Sequence, residues 1–142
     1  MIVNFYVLAF LCLGNEVVLI RRSSHQTFGA GQYSMVGGKV ERGETARQAI
    51  KREVYEETGL DIPESAFELV HTIHRKGTEA EFIALCFKAD LTGMPAPYNK
   101  EPDHHDDLQF FPFNQLPGNI LPAHKQAIEC IQENIYYSEH GW

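Results

Sequence analysis

Residues 38–60 read GKVERGETARQAIKREVYEETGL, and the fold is decided by how this stretch is understood. Gly43-Glu44-Thr45 marks the start of a helix. Gly59 marks its end, because glycine takes the left-handed conformation that follows a last helical turn at little cost. The expected helix covers about 45–58. On it Glu53, Glu56 and Glu57 stand at i, i+3 and i+4, so three carboxylates share one face. Like charges at that spacing cost roughly 0.2–0.5 kcal/mol per pair. A divalent cation offsets the repulsion, and hard cations such as Mg²⁺ prefer carboxylate oxygen. Ala46 and Ala49 lie on the same face with Ile50 and Val54 beside it, which sets the carboxylates at the border of a core. A glutamate-rich helix taken alone is more often a solvated face, so the surrounding residues must carry the decision.

Upstream, Thr27–Gly38 is a glycine-rich loop leading into the helix. Dense Val, Ile, Leu and Phe predict strands at about 3–13, 16–22, 67–75 and 81–90. The first two flank Gly14-Asn15 and form a hairpin. Downstream, Pro95, Pro97 and Pro102 mark a long loop over about 93–107, of a length often used for function. A short strand near 108–112 follows, then a helix at about 122–136 opened by Pro122. Mixed strands with two helices indicate an α/β sandwich, and 142 residues suit a single domain over 1–142.

The apolar N-terminal run, MIVNFYVLAFLCLG, has no basic residue ahead of it and is too short to span a bilayer. It therefore belongs to the fold, and no membrane association is expected. Cys12, Cys86 and Cys130 are far apart in sequence, odd in number and without a CxxC pair, as expected of reduced thiols in a cytoplasmic protein. A net charge of −7 argues against a nucleic-acid polymer as partner. It leaves room for a small anion, since a bound divalent metal reverses the local sign.

The stretch 38–60 resembles the Nudix box throughout: Gly38, five residues, Glu44, seven residues, then Arg52-Glu53-Val54-Tyr55-Glu56-Glu57-Thr58-Gly59-Leu60. A chance match to its seven fixed and two apolar positions has a frequency on the order of 10⁻⁹ to 10⁻¹⁰ per starting position at average residue usage. The resemblance implies a Nudix-type α/β/α sandwich with a mixed sheet and a loop–helix–loop catalytic motif. It also implies a hydrolase that uses Mg²⁺, or Mn²⁺ in its place, to cleave a diphosphate linkage in a nucleotide. Glu53, Glu56 and Glu57 match the metal-binding glutamates, and the carbonyl of Gly38 matches a backbone ligand. Arg52 would pair with Glu44 and orient the cluster, the alternative being a surface ion pair of little weight. Glu53 is the first choice of general base and a downstream acid its rival.

The resemblance extends over nearly the whole chain. Arg22 ends the second expected strand, where many relatives carry a basic residue facing the phosphates, and Lys39 is a second such candidate; both have solvated charges as the alternative. Val36 stands where many members have proline, which loosens a turn without removing a ligand. The segment Glu101-Pro102-Asp103-His104-His105-Asp106-Asp107 resembles one in which the glutamate supplies a further metal ligand, so Glu101 is assigned that role. His104 and His105 lack matched zinc-ligand spacing and are expected in a polar loop. His71 and His74 are expected to serve packing or hydrogen bonding. Asn119, after Leu116-Pro117-Gly118, stands where related enzymes place an amide that reads the base. A turn asparagine is the equal alternative. The C-terminal Tyr136–Trp142 segment receives no assignment.

The leading expectation is hydrolysis of a nucleoside triphosphate to a monophosphate and diphosphate by a monomer or homodimer. A nucleoside diphosphate linked to another group is the alternative substrate. A non-catalytic nucleotide-binding Nudix module commonly loses box glutamates, and here all are present.

Overall fold

Val7, Ala9 and Leu11 point to one side of the first strand, Leu8, Phe10 and Cys12 to the other, and all six are buried. A strand apolar on both faces belongs inside a sheet that is covered on both sides. In the computed structural model, which describes residues 2–142, this strand is β1 (Val3–Leu13) and lies in the middle of an eight-stranded sheet. β2 (Glu16–Arg22) returns antiparallel to β1 around Gly14-Asn15. β3 (Tyr33–Ser34) pairs with β2, and β4 (Val36–Lys39) runs antiparallel to β1. β5 (Glu68–Lys76) and β6 (Glu81–Asp90) form a hairpin whose second strand is parallel to β1 along its whole length. β7 (His105–Pro112) pairs with β2, and β8 (Tyr137–His140) adds in parallel to β5.

Two helices cover the two faces. α1 (Ala46–Thr58) opens with a capping box in which the Thr45 hydroxyl accepts from the Gln48 N–H and the Gln48 side chain accepts from the Thr45 N–H. It ends at Gly59, whose φ is 76°. Ala49, Ile50 and Val54 join the cluster around Val7, Ala9 and Leu11. α2 (Pro122–Gln132) begins with Pro122 and packs Ala123, Ala127, Ile128 and Ile131 against the side of Leu8, Phe10 and Cys12. The result is an α/β/α sandwich on a mixed sheet. No helix among the described residues is long and apolar enough to cross a membrane.

The structure departs from sequence expectation at three places. The end of the glycine-rich stretch pairs as β3 and β4 rather than remaining loop. Glycine is suited to β4: a Cβ on Gly37 would run into the Val7 carbonyl of β1. The long loop ends earlier than expected, because His105 already pairs with Arg22. The second helix stops at Gln132 instead of about 136: Asn134 turns left-handed at φ 57°, Ile135 caps back onto Cys130, and the chain departs as β8.

Leu11 is fully buried in the α1-side cluster and Leu13, two residues on, is 40% exposed. Leu11→Ala is expected to cost about 2–5 kcal/mol of unfolding free energy through lost burial and a residual cavity. Leu13→Ala should cost less than about 1 kcal/mol. Urea titration of the two variants measures the difference, and equal costs would contradict the placement of β1.

Candidate active site

Docking of α1 through Ala49, Ile50 and Val54 carries the next residues of that face, Glu53 and Glu57, against the loop ahead of the helix. Glu57 is only 4% exposed. One carboxylate oxygen accepts from the Gly37 N–H at 3.0 Å, and the other faces His105 Nε2 at 3.5 Å. Burial above all, and then the charge of Glu53, push the Glu57 carboxyl well above the usual range. Burial raises Glu53 too, against the pull of Arg52. Gly38 completes this packing: a Cβ there would land on the Glu53 carboxylate, so only glycine lets that side chain lie on the loop backbone.

Arg52 organises the exposed side. Its Nε and Nη2 grip both oxygens of Glu44 at 3.1 and 2.6 Å. Nη1 donates to Glu53 at 2.8 Å and Glu56 at 3.3 Å, and Nη2 also reaches the Lys39 carbonyl at 3.2 Å. One planar guanidinium thus ties the loop to three helix-borne or pre-helical carboxylates, which lysine's point charge does not reproduce. The bond from Arg52 holds Glu44 below the ordinary carboxylate range. Glu56 is the most open of the box glutamates, with its side chain 44% exposed.

The segment after β6 closes the third side. The Tyr98 and Lys100 N–H groups cap the carbonyls of Thr58 and Glu57 at the end of α1. This brings Glu101 and His105 to Glu57, with ligand atoms of all three residues within 4.8 Å of one another. His104 is exposed beside Glu101. His105 is no loop residue: it opens β7, is buried, and its Nδ1 has no partner among the described residues. Burial first, then the Arg22 charge, push its imidazole down to about 4, so it is neutral near pH 7. Glu57 therefore faces no fixed cation among the described residues, although Glu53 and Glu101 crowd it. A buried carboxylate crowded by like charges and facing no fixed cation of its own fits a divalent ion.

From Glu57, Gly37 and Gly38 a cleft of about 460 Å³ extends over the α2 side of the sheet, within the size range of small-ligand sites. Leu8, Ile73 and Ala84 line it with Phe28 and Phe82, and Arg22, Arg75 and His124 bring charge and hydrogen bonding. Arg22 faces the cleft but donates through Nε to the Phe28 carbonyl at 2.7 Å, which pins the loop carrying Phe28. Lys39 is exposed, and its backbone rather than its ammonium meets the arginine network. The Asn119 amide donates to the Gly31 carbonyl at 3.0 Å, on the surface and outside the cleft lining. His71 bonds Ile135 and Ser138, which ties β5 to the C-terminal strand. Sequence reasoning missed Arg75, His105 and His124. None carries a local signal, since a strand-end arginine, a loop histidine and a helix histidine all read as solvated.

The sequence profile of the NUDIX domain matches residues 4–133. An oxidized purine nucleoside triphosphate hydrolase from Danio rerio is 37% identical over 100 residues, covering 68% of this chain and 59% of that protein. An ADP-ribose pyrophosphatase from Methanocaldococcus jannaschii is 31% identical over 103 residues, covering 72% and 58%. The chain thus spans less than two thirds of the length of these relatives. A MutT NUDIX hydrolase from Burkholderia pseudomallei superposes with a TM-score of 0.81 at 24% identity, over 91% of this chain and 98% of that one.

The raised Glu57 carboxyl makes a prediction about pH. Its folded-state proton affinity exceeds the unfolded one, so its contribution to metal-free stability is present below the ordinary carboxylate value. That contribution is lost as pH rises through the raised value. Mg²⁺ needs the ionised form, so the Tm gain on adding Mg²⁺ should be small at about pH 5 and larger at about pH 8. Glu57→Gln should flatten that dependence. A Tm gain independent of pH in the unaltered protein would contradict a metal at Glu57.

Proposed function

The chain belongs to the Nudix family, and from that premise we propose that it is a Mg²⁺-dependent hydrolase of a diphosphate linkage in a nucleotide. The preferred substrate on this reading is a nucleoside triphosphate, split into monophosphate and diphosphate. One observation carries the proposal: the buried Glu57 carboxylate, with Glu53 packed on Gly38 beside it, adjoins a cleft whose lining is mostly apolar and aromatic. Phosphates with their metal suit the first part, and a base with its sugar suits the second.

The residues divide the work. Glu53, Glu56, Glu57 and the Gly38 carbonyl would hold the ion, with Glu101 as a further ligand, since its carboxylate lies within 4.8 Å of Glu57's. Bound there, Mg²⁺ supplies charge neutralisation for the diphosphate and lowers the pKa of the attacking water. Arg52 and Glu44 fix the carboxylates' positions, so little reorganisation is needed on binding. Glu53 is the proposed general base: Arg52 holds one of its oxygens, and the carboxylate lies against the loop at Gly38. Neutral His105 blocks one side of Glu57 without competing as a cation. Arg22 and Lys39 are the proposed phosphate contacts, and Asn119 the proposed polar contact at the outer rim. The free thiols support a cytoplasmic setting.

The names of the relatives support both substrate readings, one protein acting on oxidized purine nucleoside triphosphates and another on ADP-ribose. A nucleoside diphosphate joined to a second group would use the same chemistry.

Product analysis over a nucleotide panel tests the proposal. Triphosphates should yield monophosphate and diphosphate in the presence of Mg²⁺ or Mn²⁺, and nothing after EDTA. Folded Glu53→Gln and Glu57→Gln variants should each lose roughly 10²–10⁴ in kcat. Full turnover without metal would sink the mechanism, and tight binding of nucleotides without turnover would favour a binding module.

A further inference from the structure

His124 stands in the first turn of α2 and lines the cleft beside Leu121 and Ala123. The Met35 backbone N–H donates to its Nδ1 at 2.9 Å. A backbone amide can only donate, so Nδ1 is the bare nitrogen and the neutral ring carries its proton on Nε2. Burial, with the Arg75 and Arg22 charges nearby, pushes the imidazole down to about 3, so the ring is neutral near pH 7. No acceptor meets Nε2 among the described residues.

Arg75, on β5, is separated by β6 from the strand that pairs with Gly37 and Gly38. Its guanidinium lies over the rings of Phe28 and Phe82 at 5.0 and 5.2 Å. No carboxylate pairs with it among the described residues, although the chain has 19 acidic residues against 12 basic ones. Arg22, by contrast, has its Nε engaged by the Phe28 carbonyl. Away from Glu57, then, the committed polar groups of the cleft are donors. Tyr6, Thr27 and Ser34 also line it, but a hydroxyl donates or accepts and selects nothing.

We propose that Arg75 and His124 form a donor-only reading pair that selects bases with a keto and ring-nitrogen acceptor edge over bases with an amino group there. Guanine presents O6 and N7 acceptors on one edge, whereas adenine replaces O6 with an amino donor. An amino group facing Arg75 or His124 leaves donors unpaired on both sides. The apolar lining from Leu8, Ile73 and Ala84, with Phe28 and Phe82, suits an aromatic ring more than a bare phosphate. This selection rests on the cleft holding the base, as proposed above.

Two readouts separate the selection from the hydrolase reading. Calorimetry compares binding of guanosine and adenosine monophosphates without turnover, and kcat/KM compares the triphosphates with Mg²⁺. The guanine-to-adenine ratio should be about 10 or more in the unaltered protein, as expected when a charged donor is left unpaired. His124→Asn keeps an acceptor for Met35 and withdraws the Nε2 donor. It should lower the ratio about 2- to 13-fold with unchanged Tm, and His124→Gln, which restores a donor at that reach, should recover part of it. Arg75→Met keeps the stack between the phenylalanines and should lower the ratio about 10-fold or more. A ratio near one in the unaltered protein, or one that neither His124→Asn nor Arg75→Met moves, overturns the proposal. So does inorganic phosphate binding that Arg75→Met abolishes while the base ratio stays fixed, since the pair is then an anion site. Base-selective binding without turnover would sink the hydrolase reading alone, and base-blind turnover would sink the selection alone.

Discussion

A carboxylate almost without water, with one backbone N–H and a neutral imidazole as its company, sets the terms for everything around Glu57. Removing an ion from water costs several kcal/mol even after relaxation. The protein does not cancel that cost with a lysine or arginine of its own. It brings backbone in close instead, which is why two glycines precede the helix: Gly37 gives its N–H to Glu57 while pressed against β1, and Gly38 leaves room for Glu53. The remaining deficit of positive charge is what fits the site to a divalent ion. Arg52 stays at the margin, where its fork holds Glu44, Glu53 and Glu56 in register and leaves Glu57 uncompensated.

The sheet assigns different duties to neighbouring residues of one strand. On β1, Val7, Ala9 and Leu11 support the helix that carries the carboxylates, while Leu8, Phe10 and Cys12 belong to the opposite core, where Leu8 also lines the cleft. A shift of one residue in the pairing of β1 would exchange the two sets. Its long parallel pairing with β6 and its antiparallel pairing with β4 hold the register from both sides.

What the sequence made legible is what local chemistry writes. The start at Gly43-Glu44-Thr45, the stop at Gly59 and the i, i+3, i+4 glutamates are all short-range signals, and the helix and its acidic face followed from them. The glycine-rich approach hid β3 and β4, because glycine is a poor strand former and these strands exist through their partners β1 and β2. Asn134 was a helix-stop signal of the same kind as Gly59, and overlooking it extended the second helix by a turn and left the tail unassigned. His105, Arg75 and His124 were beyond local inference altogether. β7 pairing buries the first, the β5–β6 hairpin aligns the second with Phe82, and the Met35 amide orients the third across the width of the fold.

The parallel pairing of β1 with β6 also shapes how the molecule comes to exist. Residues 3–12 must find residues 81–90, and α1 lies within the span of chain between them. Chain-closure entropy has to be overcome before such contacts are rewarded, which places folds rich in them toward the slow end of the kinetic range. Until that closure occurs, α1 has no sheet to lie on, and its glutamates are mutually repelling charges on a short, marginal helix. The packed carboxylate cluster is therefore a late product of global assembly. It is not a seed around which the chain condenses.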